Sequence, residues 1–219
     1  MKDYKYIFFD LDGTLVDSGY SIMRCAQLSL ERHGIIENDM DKLRKFVGPP
    51  LLASYMNNYG MDEPEARVAI KDYREFYLGG VMYEVEVYDG VEKMLQKLVE
   101  AGKKLVVATS KPEKTSVDIL TKLDLAKYFE FIAGDTPEGS RSAKADIISY
   151  AMTHEGITDK SQILMIGDTQ YDVIGAKQME VDVMAVTYGY GDPKLLEDAA
   201  PDYTVDTAEN VAISILGKY

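Results

Sequence analysis

The chain has 219 residues, 46% of them hydrophobic and 28% charged. That composition excludes wholesale disorder, and a chain of this length hides roughly 70% of the surface its unfolded form exposes. With 24 Lys+Arg against 37 Asp+Glu the net charge is −13, which repels a phosphate backbone and argues against nucleic acid as a partner.

No run approaches the roughly 18 apolar residues of a membrane span, and Met1-Lys2-Asp3-Tyr4 leads into an apolar stretch without a secretory pattern. Cys25 stands alone, so no internal disulfide or cysteine-rich metal site is available. A cytoplasmic protein with no membrane partner is expected. Clustered carboxylates in so acidic a chain would suit hard divalent cations.

In chain order, Tyr4 to Phe9 is a short apolar and aromatic run that reads as a buried strand, stopped by Asp10-Leu11-Asp12-Gly13. A region without strands follows. Ile22 to Leu30 fits a helix ending near Gly34, Leu51 to Tyr59 a second after the breaker Gly48-Pro49-Pro50, and Pro64 to Leu78 a third before Gly79-Gly80. Residues 18–82 thus read as a small helical unit, with 8 Lys/Arg against 9 Asp/Glu.

From residue 83 the pattern alternates. Helix faces at Val91 to Leu98, Ser116 to Leu123, Ala145 to Met152, Val173 to Met179 and Ala208 to Leu216 interleave with apolar runs at Leu105–Ala108, Phe129–Ala133, Ile163–Ile166 and Val183–Val186. Alternation of this kind predicts a doubly wound α/β core, a Rossmann-like parallel sheet covered on both faces. The core is expected over 1–17 and 83–219, with an all-helical cap over 18–82.

Residues just past strand ends carry chemistry in such sheets, because ligands bind outside the carboxyl ends of the strands. Asp10 and Asp12 follow the first strand, Thr109 and Ser110 the strand at Leu105–Ala108, and Asp168 the strand at Ile163–Ile166, with Asp172 four residues on. Taken singly, each Asp reads most simply as a turn or helix-cap residue, and Asp172 in particular. Delivered together to one edge they would repel, and a divalent oxygen-liganded cation removes that repulsion.

Asp10-Leu11-Asp12-Gly13-Thr14-Leu15, with Gly167-Asp168-Thr169-Gln170-Tyr171-Asp172, resembles the haloacid dehalogenase superfamily of phosphohydrolases, in the branch of phosphoglycolate phosphatases and 5′-nucleotidases. The resemblance covers the whole chain and implies a helical cap inserted after the first motif. It implies a Mg²⁺-dependent phosphatase for a small phosphate monoester, a nucleoside 5′-monophosphate or phosphoglycolate. Asp10 would be the nucleophile and Asp12 the general acid and then base. Gly13 would let backbone N–H groups approach the phosphoryl oxygens, and Thr109 would donate to them, with Ser110 beside it. Mg²⁺ would sit on Asp10, the Asp12 carbonyl and Asp168, with Asp172 completing the acidic cluster.

The family also carries a lysine that stabilises transition-state charge. Lys144, 24 positions before Asp168, matches its place, and Arg141 is the competing phosphate contact. Lys111 reads as a surface residue or a contact at the substrate's edge. The run Gly139 to Lys144, with Ala145 where many phosphoglycolate phosphatases have proline, leans toward the nucleotidase branch.

The tyrosines at 55, 59, 73 and 77, spaced i, i+4, read as packing between helices rather than as a base-stacking platform. His33 and His154 read as helix-end residues. A sugar-phosphate mutase of the β-phosphoglucomutase kind is the rival enzyme. A receiver module is disfavoured by the first-strand acids, and the P-loop pattern is absent. Oligomeric state is not legible.

Overall fold

The computed structural model describes residues 1–217, and the chain divides into two compact units, Met1–Asp17 with Val87–Tyr219, and Ser18–Glu86.

The first unit opens with β1, Tyr6–Phe9, followed by the two-residue β2, Val16–Asp17. The second unit holds α1 (Gly19–Arg32), α2 (Met40–Leu43), α3 (Leu51–Tyr59) and α4 (Glu63–Leu78). It packs about its own small core. Phe46 meets Tyr55 edge-on at 4.8 Å and stacks on Tyr59 at 5.7 Å, while Tyr73 and Tyr77 stack at 5.8 Å. These tyrosines are packing residues, as their spacing predicts. Ser29 Oγ donates to the Ala69 carbonyl at 2.7 Å, and His33 at the end of α1 meets Asp72 at 3.2 Å.

The short β3 (Glu86–Val87) falls on the boundary between the units, and the first unit continues with α5 (Val91–Glu100), β4 (Lys104–Pro112), α6 (Glu113–Lys122), β5 (Phe131–Asp135) and α7 (Lys144–Glu155). It ends with β6 (Ile163–Gly167), α8 (Gln170–Gln178), β7 (Asp182–Val186), α9 (Pro193–Asp198), β8 (Tyr203–Val205) and α10 (Ala208–Leu216). Six strands form one parallel sheet in the order β5-β4-β1-β6-β7-β8.

Both faces are covered. Ile7 and Phe9 of β1 join Leu105 and Val107 of β4 beneath α5 and α10, while Phe8 joins Val106 and Met165 beneath α7 and α8. That two-sided burial is why these strands read as continuous apolar runs instead of alternating ones. Each large core side chain so buried contributes about 1.5–3 kcal/mol.

β1 lies between β4 and β6, so the chain's winding reverses on either side of it. That reversal opens a crevice at the carboxyl end of β1, where an open α/β sheet binds its ligand.

Candidate active site

Asp10 is the residue immediately after β1. Its backbone N–H donates to the Ile166 carbonyl at 2.8 Å, extending the β1–β6 pairing by one step, and its own Oδ1 accepts from Leu11 N at 2.8 Å. The chain then turns tightly. Leu15 N donates to the Leu11 carbonyl at 2.9 Å and Gly13 N to the Val16 carbonyl at 2.9 Å. Gly13 has φ +79°, and a Cβ there would overlap the Asp168 carboxylate. Glycine is therefore required twice, for the left-handed backbone and for the close approach.

Lys144 is the first residue of α7. With only 4% of its side chain exposed, its Nζ lies 2.9 Å from Asp10 Oδ1 and 2.8 Å from Asp172 Oδ1, and it donates to the Ala108 carbonyl at 2.9 Å. It thereby ties β1, β4 and α8 to one point. Gly175 of α8 makes this possible, because a Cβ there would crowd the Lys144 stem and the Ala145 amide.

Asp172 serves two ends. Its Oδ2 accepts from Thr169 N at 3.0 Å and Thr169 Oγ1 at 2.8 Å, capping α8, while its Oδ1 faces Lys144. Capping the helix is thus only half of what Asp172 does.

Asp168 is buried just past β6, and Tyr190 N donates to its Oδ2 at 2.7 Å. Carboxylate oxygens of Asp10, Asp168 and Asp172 all lie within 4.8 Å of one another. Burial first, then the neighbouring carboxylates Asp172 and Asp10, push Asp168 up to about 8. Burial likewise pushes Asp10 up to about 6, against the opposing pull of Lys144. Lys144 itself is held well above the ordinary lysine range, because Asp10 and Asp172 outweigh the burial that opposes its charge.

The donor set is all hard oxygen. With Asp12 included, four carboxyl groups face two ammonium groups, Lys144 and Lys111. A divalent oxygen-seeking cation balances that set and fits Asp10 and Asp168 as ligands.

The strand bearing the hydroxyls differs from expectation. β4 does not stop at Ala108 but runs to Pro112, with a shift of register between them: Ala108 faces Ala133, and Pro112 faces Asp135. Four steps on β4 match two on β5, so the strand bulges, and a bulge re-aims the side chains it carries.

Thr109 is buried, its Oγ1 accepting from Lys111 N at 3.3 Å. Ser110 Oγ donates to the Ser142 carbonyl at 2.9 Å. Lys111 is no surface residue. Its side chain is 8% exposed, and its Nζ lies 2.8 Å from Asp12 Oδ2.

Arg141 is engaged elsewhere. Its Nε donates to the Gly134 carbonyl at 3.0 Å, it reaches Glu113 at 3.5 Å, and its guanidinium sits 3.5 Å over the Tyr150 ring. Of the two basic candidates, Lys144 stands beside Asp10 and Arg141 braces the loop after β5.

The loop after β7 also belongs to the site, and none of the motifs above marks it. Tyr188 donates its hydroxyl to the Thr14 carbonyl at 2.9 Å, and Tyr190 donates its own to Asp17 at 2.5 Å. A Cβ on Gly189 would overlap the Gly13 carbonyl, and one on Gly191 the Asp168 carbonyl. The alternating Tyr188-Gly189-Tyr190-Gly191 just past an apolar strand was the available signal.

A family model described as haloacid dehalogenase-like hydrolase matches residues 7–186. Among curated proteins, the chain is 39% identical over 206 residues to a 5′-nucleotidase of Pseudomonas aeruginosa, covering 94% of this chain and 93% of that one. It is 35% identical over 185 residues to the tyrosine-protein kinase PtkA of Mycobacterium tuberculosis, 84% of this chain and 62% of that one. It is 28% identical over 214 residues to phosphoglycolate phosphatase 1 of P. aeruginosa, 94% and 78%.

The crystal structure of a predicted phosphatase from Clostridium acetobutylicum superposes with TM-score 0.91 at 42% identity, covering 99% of this chain and 100% of that one. The chain belongs to the haloacid dehalogenase-like hydrolases. Within them it is a phosphoric monoester hydrolase.

Proposed function

We propose that the chain is a Mg²⁺-dependent phosphatase of small phosphate monoesters, nucleoside 5′-monophosphates foremost, working through an aspartyl-phosphate on Asp10. The observation that carries this reading is Asp10 itself. It is held at the end of β1 by Lys144 at 2.9 Å, with Asp168 and Asp172 close by. The nucleotide preference leans on the 5′-nucleotidase relative.

In the first step Asp10 attacks phosphorus as the ester P–O bond breaks, and Asp12 gives the departing oxygen its proton. In the second, Asp12 takes a proton from water as that water attacks phosphorus and releases Asp10 and inorganic phosphate. Lys144 keeps the Asp10 carboxylate oriented and offsets charge gathering on the phosphoryl oxygens. Thr109 has a hydroxyl available to the same oxygens, with Gly13 clearing the approach. Bound Mg²⁺, on Asp10, Asp168 and the Asp12 carbonyl, would neutralise phosphoryl charge and orient the ester. Asp172 serves by holding Lys144 and the start of α8.

Phosphate release across a panel of small phosphate esters, with Mg²⁺ or with chelator, tests the reading. Nucleoside 5′-monophosphates are expected to be cleaved well above p-nitrophenyl phosphate, and only with Mg²⁺. Full activity in chelator would overturn the metal requirement. Sugar phosphates isomerised without phosphate release would replace the phosphatase by a mutase.

A further inference from the structure

The bulge in β4 has no role in the scheme above, yet it brings a second lysine to the site. Lys111 is almost wholly buried, and its Nζ lies 2.8 Å from Asp12 Oδ2. The other oxygen, Asp12 Oδ1, is buried and has no hydrogen-bond partner among the described residues. Lys111 thus holds one oxygen of the carboxyl, and the other makes no hydrogen bond among the described residues.

The fastening is built into the backbone. Lys111 N donates to Thr109 Oγ1 at 3.3 Å, and the bulge is pressed against β5 where Gly134 stands. A Cβ on Gly134 would lie 2.6 Å from the Lys111 carbonyl oxygen and 2.6 Å from Glu113 N and Cα. Glycine at 134 lets β5 approach closely enough to fix where the bulge, and so the lysine, sits. A flexible lysine buried at such a place gives up rotamer freedom that exposure to solvent would leave it.

We infer that Lys111 is a positioning residue for leaving-group departure: it grips one oxygen of Asp12 so that the carboxyl is set for proton transfer to the departing alcohol. The inference rests on Asp12 as the general acid. In the step concerned the P–O bond of the ester breaks, the Asp10–phosphorus bond forms, and the Asp12 proton passes to the alcohol oxygen. Lys111 neither gains nor loses a proton. Lys144 holds the nucleophile by a contact of the same kind, its Nζ 2.9 Å from Asp10 Oδ1.

A donor matters in proportion to how badly the leaving group needs its proton. An alkyl alcohol needs it and p-nitrophenol does not, whereas fold integrity and phosphate binding matter equally to both esters. kcat/KM spans every step through alcohol departure, so it reads this difference. It is measured for p-nitrophenyl phosphate and for the best alkyl phosphate of the panel, in wild type, Lys111→Met, Lys111→Arg and Asp12→Asn.

Lys111→Met is expected to lose on the order of 10²-fold on the alkyl ester and about tenfold less on the aryl ester, with Asp12→Asn biased the same way and more steeply. Lys111→Arg should restore most of the alkyl activity, since a guanidinium can grip the same carboxyl. Lys111→Gln is read in place of Lys111→Met if the latter does not fold. Equal losses on both esters in the Lys111 variants, beside a biased loss in Asp12→Asn, would overturn the inference and leave Asp12 as the acid. Equal losses in Asp12→Asn as well would overturn that reading of Asp12, and the role of Lys111 with it.

Discussion

At the scale of single residues the site is a problem of buried charge. Lys144 lies between Asp10 and Asp172, at 2.9 and 2.8 Å, with almost no exposure. Removing one member of such a group leaves its partners uncompensated, at a cost of about 3–5 kcal/mol. Lys144→Met should therefore lose stability on that scale in denaturant unfolding. Its kcat should also fall on the order of 10²- to 10³-fold, as for other lost transition-state donors. A Lys144→Met protein as stable and active as wild type would show that neither carboxylate depends on the lysine. Asp10 and Asp168 were legible in the sequence because each stands where an apolar strand stops. Asp172 was harder to place, since a helix-cap reading suffices for it alone. Its contact with Lys144 requires two helices, α7 and α8, to meet at Gly175.

At the scale of elements, the strands with strong apolar runs were readable and the weak ones were not. β1, β4, β6 and β7 are buried on both faces and announce themselves by composition. β8 is a three-residue edge strand, Tyr203–Val205, paired on one side only, with its residues part-exposed or exposed, so hydrophobic pattern does not mark it. The extension of β4 past Ala108 was invisible for a related reason. Thr109-Ser110-Lys111-Pro112 is polar and ends in proline, which reads as a loop, but the bulge and the edge of β5 hold it in extended form. The same polar stretch makes Lys111 read as a surface residue, whereas the bulge buries its side chain against Asp12. Long-range pairing, rather than local propensity, decides both cases. The Tyr188–Gly191 loop belongs with them, because its hydrogen bonds reach residues 14, 17 and 168.

At the scale of the whole molecule, the buried acids couple stability to pH and to metal. Asp168 is pushed up to about 8 and Asp10 to about 6, against about 3.9 for an unfolded aspartate. Between those limits the folded state holds protons that the unfolded state has released, so the unfolding free energy falls as pH rises. The metal-free protein should thus lose thermal stability from about pH 4 upward and level off above about pH 8. Mg²⁺ competes with those protons and binds only the folded state, so it should raise Tm more at the alkaline end of that window than at the acid end. Asp168→Asn should flatten the fall and weaken the response to Mg²⁺. A metal-free Tm that climbs across this window, or an equal Mg²⁺ effect at both ends, would contradict this account of the carboxylates.

Rapid acid quenching during turnover of a phosphate-labelled substrate shows whether the phosphoryl group passes through Asp10. Borohydride reduction of the quenched enzyme converts an aspartyl-phosphate to homoserine, which peptide mass spectrometry then locates. The predicted result is label, and homoserine after reduction, at position 10. Label at any other residue would rule out Asp10 as the nucleophile.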